Sequence, residues 1–295
     1  MIARVIQITK PMHLSVKLKQ LQLTDKDSGE VVERPIEDLG VLVVEHPQVT
    51  WTHVLMQELV EHNVAVVICD ARHMPSGLLL PLSGNTLQQE RFAAQVNAGL
   101  PLKKQLWQQT IKAKIGNQAG VLESLEKEGE ALRYLAKQVR SGDVDNHEAQ
   151  AARRYWSQLF LDEFRREREG DWPNPALNYG YAILRAATAR ALVAAGLLPT
   201  LGIHHHNRYN AYALADDIME PYRPYVDIMV MDAMDIGHDN LDKYCRQHLL
   251  GMLHIDVVDE KGKGPLMVAL QRTAQSLCTS YQEGECLITY PVYDT

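Results

Sequence analysis

Three consecutive histidines, His204, His205 and His206, follow Gly202-Ile203, and the same segment then carries Asp216, Asp217 and Glu220, the last directly before Pro221. Imidazole combined with carboxylate is the ligand chemistry of a borderline-hard divalent ion such as manganese or magnesium. In an intracellular chain such an ion usually serves phosphate chemistry. Glu220 lies four residues after Asp216 and three after Asp217, spacings that set carboxylates on one helix face about one turn apart. Pro221 disfavours helical geometry at the residue before it, so Glu220 is expected at a helix end or kink. Like charges this crowded cost stability unless a cation relieves them. A solvated acidic face paired with Arg208 and Arg223 explains the same pattern, and charge runs more often form such faces.

Three successive histidines point in different directions, so they cannot all be ligands. One of them can be, and the alternative is a solvated triplet or a capping histidine. HExxH is absent, and no further His or Cys stands at zinc spacing. Cys69, Cys245, Cys278 and Cys286 are scattered with no CxxC pair, which argues against a zinc knuckle or a disulfide framework and fits a reducing compartment. Glu148, in the run His147 to Arg154, is on its own only an acid of the kind that favours a helix N-terminus.

The chain has 295 residues, 46% hydrophobic and 23% charged, values ordinary for a folded cytoplasmic protein and long enough for two domains. It has no apolar run of membrane-spanning length, and Met1 to Val16 lacks the pattern of a secretory signal. The net charge of -7 argues on average against nucleic acid. Locally the balance reverses. Arg91, Lys103, Lys104, Lys112 and Lys114 lie between Arg91 and Gly120 with no acidic residue among them and with Trp107 in their midst. This reads either as a phosphate-tracking surface with a stacking platform or as a solvated helix face.

The elements that must position these groups change character along the chain. Residues 1–86 read as strand-rich. Leu14 to Leu23 alternates as one half-buried strand, Asp25 to Gly29 is a hairpin turn, and Glu30 to Pro35 resumes a strand. Val41 to Glu45 and Val64 to Cys69 are β-branched runs around a helix at Thr52 to His62, and Pro75-Ser76-Gly77 is a turn before Leu78 to Leu82. From residue 87 the spacing is helical. Helices are expected at Gln88 to Ala98, Pro101 to Gly116, Ala119 to Val139, Glu148 to Arg168 and Met267 to Tyr281. Another, capped by Asn174-Pro175, ends at Gly196. Gly180 inside that last helix costs about 1 kcal/mol relative to Ala, which points to close packing. The fold class is therefore α+β: an N-terminal β-rich, β-sandwich-like domain (1–86) followed by a larger all-α domain (87–295).

Taken together, GIHHHNRYNAYALADDIMEPYRPYVD and NPALNYGYAILRAA resemble the C-terminal motifs of the CRISPR-associated protein one family, the metal-dependent endonuclease/integrase of spacer acquisition. ICDARHMPSGLLLPL, with the β-rich start, is similar to the N-terminal domain of members that accompany type II systems. The resemblance spans essentially the whole chain in the expected order. It implies a catalytic metal, Mg2+ or Mn2+, held by Glu148, His205 (third after Gly202) and Glu220, with Asp217 as an accessory acid. It also implies a homodimer joined to CRISPR-associated protein two, acting on double-stranded DNA of prespacer and repeat, with the RNA-guided effector nuclease as a further candidate partner. The N-terminal domain would then serve dimerisation and partner binding.

The function expected on this basis is insertion of short foreign DNA fragments into a CRISPR array, for antiviral defence, by attack of a DNA 3′-hydroxyl on a phosphodiester. Arg91, Lys103, Lys104, Lys112, Lys114, Arg153 and Arg154 are the candidate DNA contacts. The competing expectations are an inert DNA-binding scaffold and a metal-dependent phosphodiesterase acting on RNA or small substrates.

Overall fold

The computed structural model describes residues 4–160 and 164–293. The chain divides into two compact units, residues 1–86 and 87–295.

The first unit runs β1 (Arg4–Ile8), β2 (Met12–Lys17), β3 (Gln20–Asp25), β4 (Val31–Pro35), β5 (Leu39–Val44), β6 (Thr50–Trp51), α1 (His53–Glu61), β7 (Ala65–Cys69) and β8 (Pro75–Leu79). It builds two four-stranded sheets, ordered β1-β5-β7-β8 and β4-β3-β2-β6. β5 is parallel to both β1 and β7, and every one of its residues is buried, as a central parallel strand requires. One apolar core joins the sheets, with Leu14, Leu21 and Leu23 from one meeting Ile8, Leu42, Val44 and Val66 from the other and Leu55 and Leu59 from α1.

Two expectations for this unit are corrected. The alternating run Leu14 to Leu23 is a hairpin of two strands. Lys17 pairs with Gln20 across a two-residue turn, where Leu18 and Lys19 take φ of 50° and 61°. That turn normally calls for Asn-Gly, and the cross-strand pairing overrides the residue preference. Pro75 to Gly77 is strand, antiparallel to β7. The reversal comes earlier, where the amide of Asp70 bonds the carbonyl of Met74 and the Asp70 carboxylate accepts the amides of Arg72 and Met74.

The second unit contains α2 (Gln88–Asn97), α3 (Leu100–Ser124), α4 (Glu130–Gln138), α5 (His147–Leu159), α6 (Asn174–Ala194), α7 (Ala213–Met219), α8 (Arg223–Asp235), α9 (Lys243–Leu250), β9 (Asp256–Asp259), β10 (Gly262–Pro265) and α10 (Leu266–Glu283). The β9–β10 ribbon, antiparallel and bridged at Val258 to Val292, is an addition to the expected all-α architecture. α3 is one 25-residue helix that passes through Gly116, where two separate helices are expected from the sequence. Burial of Ile111, Ile115, Ala119, Val121 and Leu122 along it outweighs the local cost of the glycine.

The helix expected over Glu148 to Arg168 ends instead at Leu159. Phe160 is extended, and the Lys127 ammonium donates to the terminal carbonyls of Gln158 (2.6 Å) and Leu159 (3.1 Å). Residues 161–163 of that expected helix lie outside the described residues. Asn174 does not cap α6 through its side chain. Its Oδ1 accepts from the Arg166 guanidinium and the Glu167 amide, fastening the preceding loop. Gly180 does serve packing, since a Cβ there would lie 2.4 Å from Cγ1 of Val226 on α8.

Candidate metal centre

The spine of the site is the buried face of α3. Trp107, Thr110, Lys114 and Asn117 follow one another at helical three-to-four spacing, so they line one stripe. Each meets a different part of the second unit. Trp107 stacks on His204 with ring centroids 4.1 Å apart and lies edge-on to His205 at 5.8 Å. Thr110 Oγ1 and Tyr290 Oη share a 2.8 Å hydrogen bond. Asn117 Nδ2 donates to the carbonyls of Pro221 (2.7 Å) and Pro291 (3.1 Å), and its Oδ1 accepts the amide of Tyr293 (2.9 Å). The C-terminal strap and the turn that carries Glu220 are therefore tied to the same helix.

Lys114 is the centre of this arrangement. Its Nζ donates to Glu148 Oε1 at 2.6 Å and stands 2.7 Å from Glu220 Oε2. Burial alone would lower this ammonium, but Glu220 and Glu148 outweigh it and hold Lys114 above the ordinary lysine range. Glu148 is the second residue of α5, where Asp143 accepts the amides of His147 (2.9 Å) and Glu148 (3.0 Å) and so fixes the helix start. Glu220 closes α7 and opens a short 3-10 turn, Glu220–Tyr222, ahead of α8, as Pro221 leads one to expect. It is 3% exposed, and Arg223 Nη2 pairs with its Oε1 at 2.9 Å. Burial would raise the Glu220 carboxyl, and Arg223 and Lys114 together bring it below the usual glutamate range.

The acidic residues of α7 do not form a solvated face. They are buried and point to separate tasks. Asp216 takes the Arg185 guanidinium on both oxygens (2.6 and 3.0 Å) and Asn210 Nδ2 at 2.8 Å. Asp217, fully buried, accepts the amides of Ile203 (2.7 Å), His204 (2.9 Å) and His205 (3.3 Å), and pairs with His205 Nδ1. Successive amides converging on one carboxylate make a nest. Gly202 permits it, since a Cβ there would sit 2.5 Å from the His205 carbonyl and 2.9 Å from Asp217 Oδ2.

With Nδ1 engaged by Asp217, His205 keeps Nε2 for another partner. The Asp217 hydrogen bond raises the His205 imidazole above the ordinary histidine range, and Glu220 and Glu148 add to it electrostatically. His204 goes the other way, lowered by burial against Trp107.

The expected DNA contacts separate by environment. Arg153, Arg154 and Lys104 are exposed, and Lys103 and Lys112 are half-buried. Arg91 donates from Nη1 to the carbonyl of Ala195 at the end of α6, at 2.9 Å. Lys114 faces the two glutamates from inside the unit. Trp107, read above as a possible platform for bases, is 2% exposed and stacks on His204 instead. Helical periodicity alone does not distinguish the buried face of α3 from its outer face, because polar residues occupy both. The signal within reach is the 107-110-114-117 spacing.

A second buried network lies behind the site. Tyr155 Oη donates to Asp227 Oδ2 at 2.9 Å, and Tyr181 Oη donates to Oδ1. Arg223 lies over the Tyr181 ring, 4.8 Å from its centroid. Burial pushes the Asp227 carboxyl up to about 7 from an ordinary 3.8, against the two tyrosine donors that favour its charge. The folded value exceeds the unfolded one, so the folded protein holds the extra proton between them. The associated stability is fully present below the unfolded value and is lost as pH rises through about 7. Urea unfolding from pH 4 to 8 is therefore expected to show the wild type losing stability relative to Asp227→Asn, with parallel profiles as the contrary result.

Among the described residues no three His, Cys, Asp or Glu side chains are gathered around one metal-sized space. The two glutamates are gathered around the Lys114 ammonium. The donor set fits a hard divalent ion, because two carboxylates from distant parts of the chain share one cation. The Glu220 carboxylate is buried with the Lys114 ammonium at its Oε2, and His205 lies within electrostatic reach of both glutamates.

The family model for CRISPR associated protein Cas1 matches residues 6–253. The CRISPR-associated endonuclease Cas1 of Neisseria meningitidis serogroup C (strain 8013) is 37% identical over 273 residues, covering 91% of this chain and 88% of that relative. Among solved structures, a casposase bound to integration product superposes with a TM-score of 0.78 at 20% identity, covering 97% of this chain and 92% of that one. A Cas6-RT-Cas1–Cas2 complex gives 0.73 at 22% identity, covering 96% of this chain and 35% of the longer one. At these identities the structural likenesses speak for the fold.

Proposed function

This chain belongs to the Cas1 family of CRISPR associated proteins, and from that membership we propose that Glu148, His205 and Glu220 form its metal centre. It is a DNA endonuclease/integrase that inserts short DNA fragments into a CRISPR array, with DNA and Cas2 as partners. The observation that carries the proposed centre is the convergence of Glu148, from the start of α5, and Glu220, from the end of α7, on a single cation. Magnesium or manganese bound there would supply Lewis acidity to the scissile phosphate and relieve charge on the attacking and leaving oxygens.

The chain's own residues do the rest. Glu148 and Glu220 bring two negative charges to one point inside a protein interior, where charge interactions are strong. Asp217 holds the His205 ring by Nδ1 and so presents Nε2. Arg153 and Arg154 on α5, with Lys103, Lys104 and Lys112 on α3, supply a positive field for the DNA backbone. The nucleophile is the 3′-hydroxyl of incoming DNA, or water in hydrolysis, and positioning supplies most of the rate. Thiol attack is disfavoured, because burial pushes Cys245 up to about 11 and raises Cys278 and Cys286 as well. We assign the N-terminal unit to homodimerisation and partner binding, with the RNA-guided effector nuclease as a further candidate partner.

Strand transfer is the test. Duplex DNA with a free 3′-hydroxyl, incubated with the full chain and Cas2, is expected to give integrated product with Mn2+ or Mg2+ and none in EDTA. RNA of matched length is expected to remain intact. Product formed in EDTA, or with RNA alone, overturns the reading.

A further inference from the structure

We propose that Lys114 is an internal stand-in cation, holding the Glu148 and Glu220 carboxylates together in the metal-free protein and yielding its place to the incoming divalent ion. The proposal rests on the reading of those glutamates as ligands. Three observations carry it. First, one ammonium bridges both carboxylates, at 2.6 and 2.7 Å. Second, the pair cannot stand without a cation. Glu220 is 3% exposed and the Glu148 side chain only 28%, so repulsion between them is poorly screened. Arg223 does not replace Lys114, because it takes the other oxygen, Oε1, of Glu220.

Third, the bridging cation is able to leave. Lys114 Nζ meets Glu220 Oε2 as an ion pair at 2.7 Å. A lysine offers a compact point charge on a flexible four-carbon stem, which can withdraw without moving α3. Helix α3 stays fixed through Trp107, Thr110 and Asn117 on the same stripe. Binding of the ion thereby becomes a replacement of one cation by another, and Lys114 sets its affinity. In this role Lys114 is a positioning residue, acting through the two glutamates.

The experiment titrates Mn2+ into the full chain at fixed pH and ionic strength, reading bound ion by electron paramagnetic resonance and stability by thermal unfolding. Lys114→Met is expected to bind Mn2+ at least tenfold tighter than wild type. Its metal-free form should melt lower and gain more on Mn2+ addition. Lys114→Arg, which keeps the charge, is expected to bind no tighter than wild type, and it serves where the Met variant folds poorly without metal. Unchanged or weaker Mn2+ binding by Lys114→Met overturns the stand-in role, as does tighter binding by Lys114→Arg. Glu220→Gln separates the two layers. If it loses Mn2+ binding while Lys114→Met behaves as wild type, only the role of Lys114 fails. If Glu220→Gln binds as tightly as wild type, the ligand assignment itself fails.

Discussion

Glu220→Gln is expected to reduce strand transfer by about 10³-fold or more at saturating Mn2+, well beyond the roughly 10–100-fold typical of groups that only support a metal ligand. The substitution keeps the shape of the side chain and removes its charge. It takes from the site one of two carboxylates that face a common cation, and Glu220 is the more buried of them. It also takes from Arg223 its ion pair with Glu220 and leaves Lys114 with Glu148 alone, both within the interior. Losing one partner of a buried ion pair costs about 3–5 kcal/mol, so the variant should unfold at lower temperature as well. The two effects are separable. Circular dichroism below the melting point establishes that the protein is folded, and single-turnover strand transfer is measured there. A folded Glu220→Gln protein with wild-type transfer rates would remove Glu220 from the centre. Arg153→Ala gives the contrast, because an exposed phosphate contact should cost little at low salt and progressively more as salt rises.

What the sequence reveals about this molecule follows how local each determinant is. The buried strand β5 is legible because its β-branched run needs no partner to be recognised, and α6 is legible from its Pro start and its glycine stop at Gly196, where φ is 73°. The Leu18-Lys19 turn is not, since no residue there asks for positive φ and only the β2–β3 pairing imposes it. The end of α5 is hidden for the same reason, because the lysine that caps it comes from residue 127. At the site, the histidine turn and the acids of α7 stand out as a cluster, yet their division of labour does not. Adjacent Asp216 and Asp217 look alike in sequence, but one binds Arg185 and the other the His205 turn. Family resemblance brings in Glu148, whose own neighbourhood carries no metal signal. Lys114 reads in sequence as one more lysine of the basic stretch, because a helical basic residue looks the same whether its face is turned inward or outward. Only the packed helix reveals which it is.

Asp217→Asn is the sharper probe of that division of labour. The Asp217 carboxylate accepts three backbone amides and the His205 ring nitrogen, all from within its burial. An asparagine offers one acceptor oxygen and turns an amide NH2 toward groups that are themselves donors. At least one amide of the histidine turn then loses its partner, at about 1–3 kcal/mol for an unsatisfied buried donor. The His205 ring loses the anchor that fixes Nδ1 as donor and leaves Nε2 as the free nitrogen. The affected quantity should be metal affinity, because both glutamates remain in place. Strand transfer by Asp217→Asn is therefore expected to fall about 10–100-fold at low Mn2+ and to recover substantially as Mn2+ is raised, whereas Glu220→Gln does not recover. The two curves of rate against Mn2+ concentration distinguish a group that orients a ligand from one that is a ligand. If Asp217→Asn stays as inactive as Glu220→Gln at saturating Mn2+ while remaining folded, Asp217 binds the ion itself, and the histidine turn is a consequence of that role.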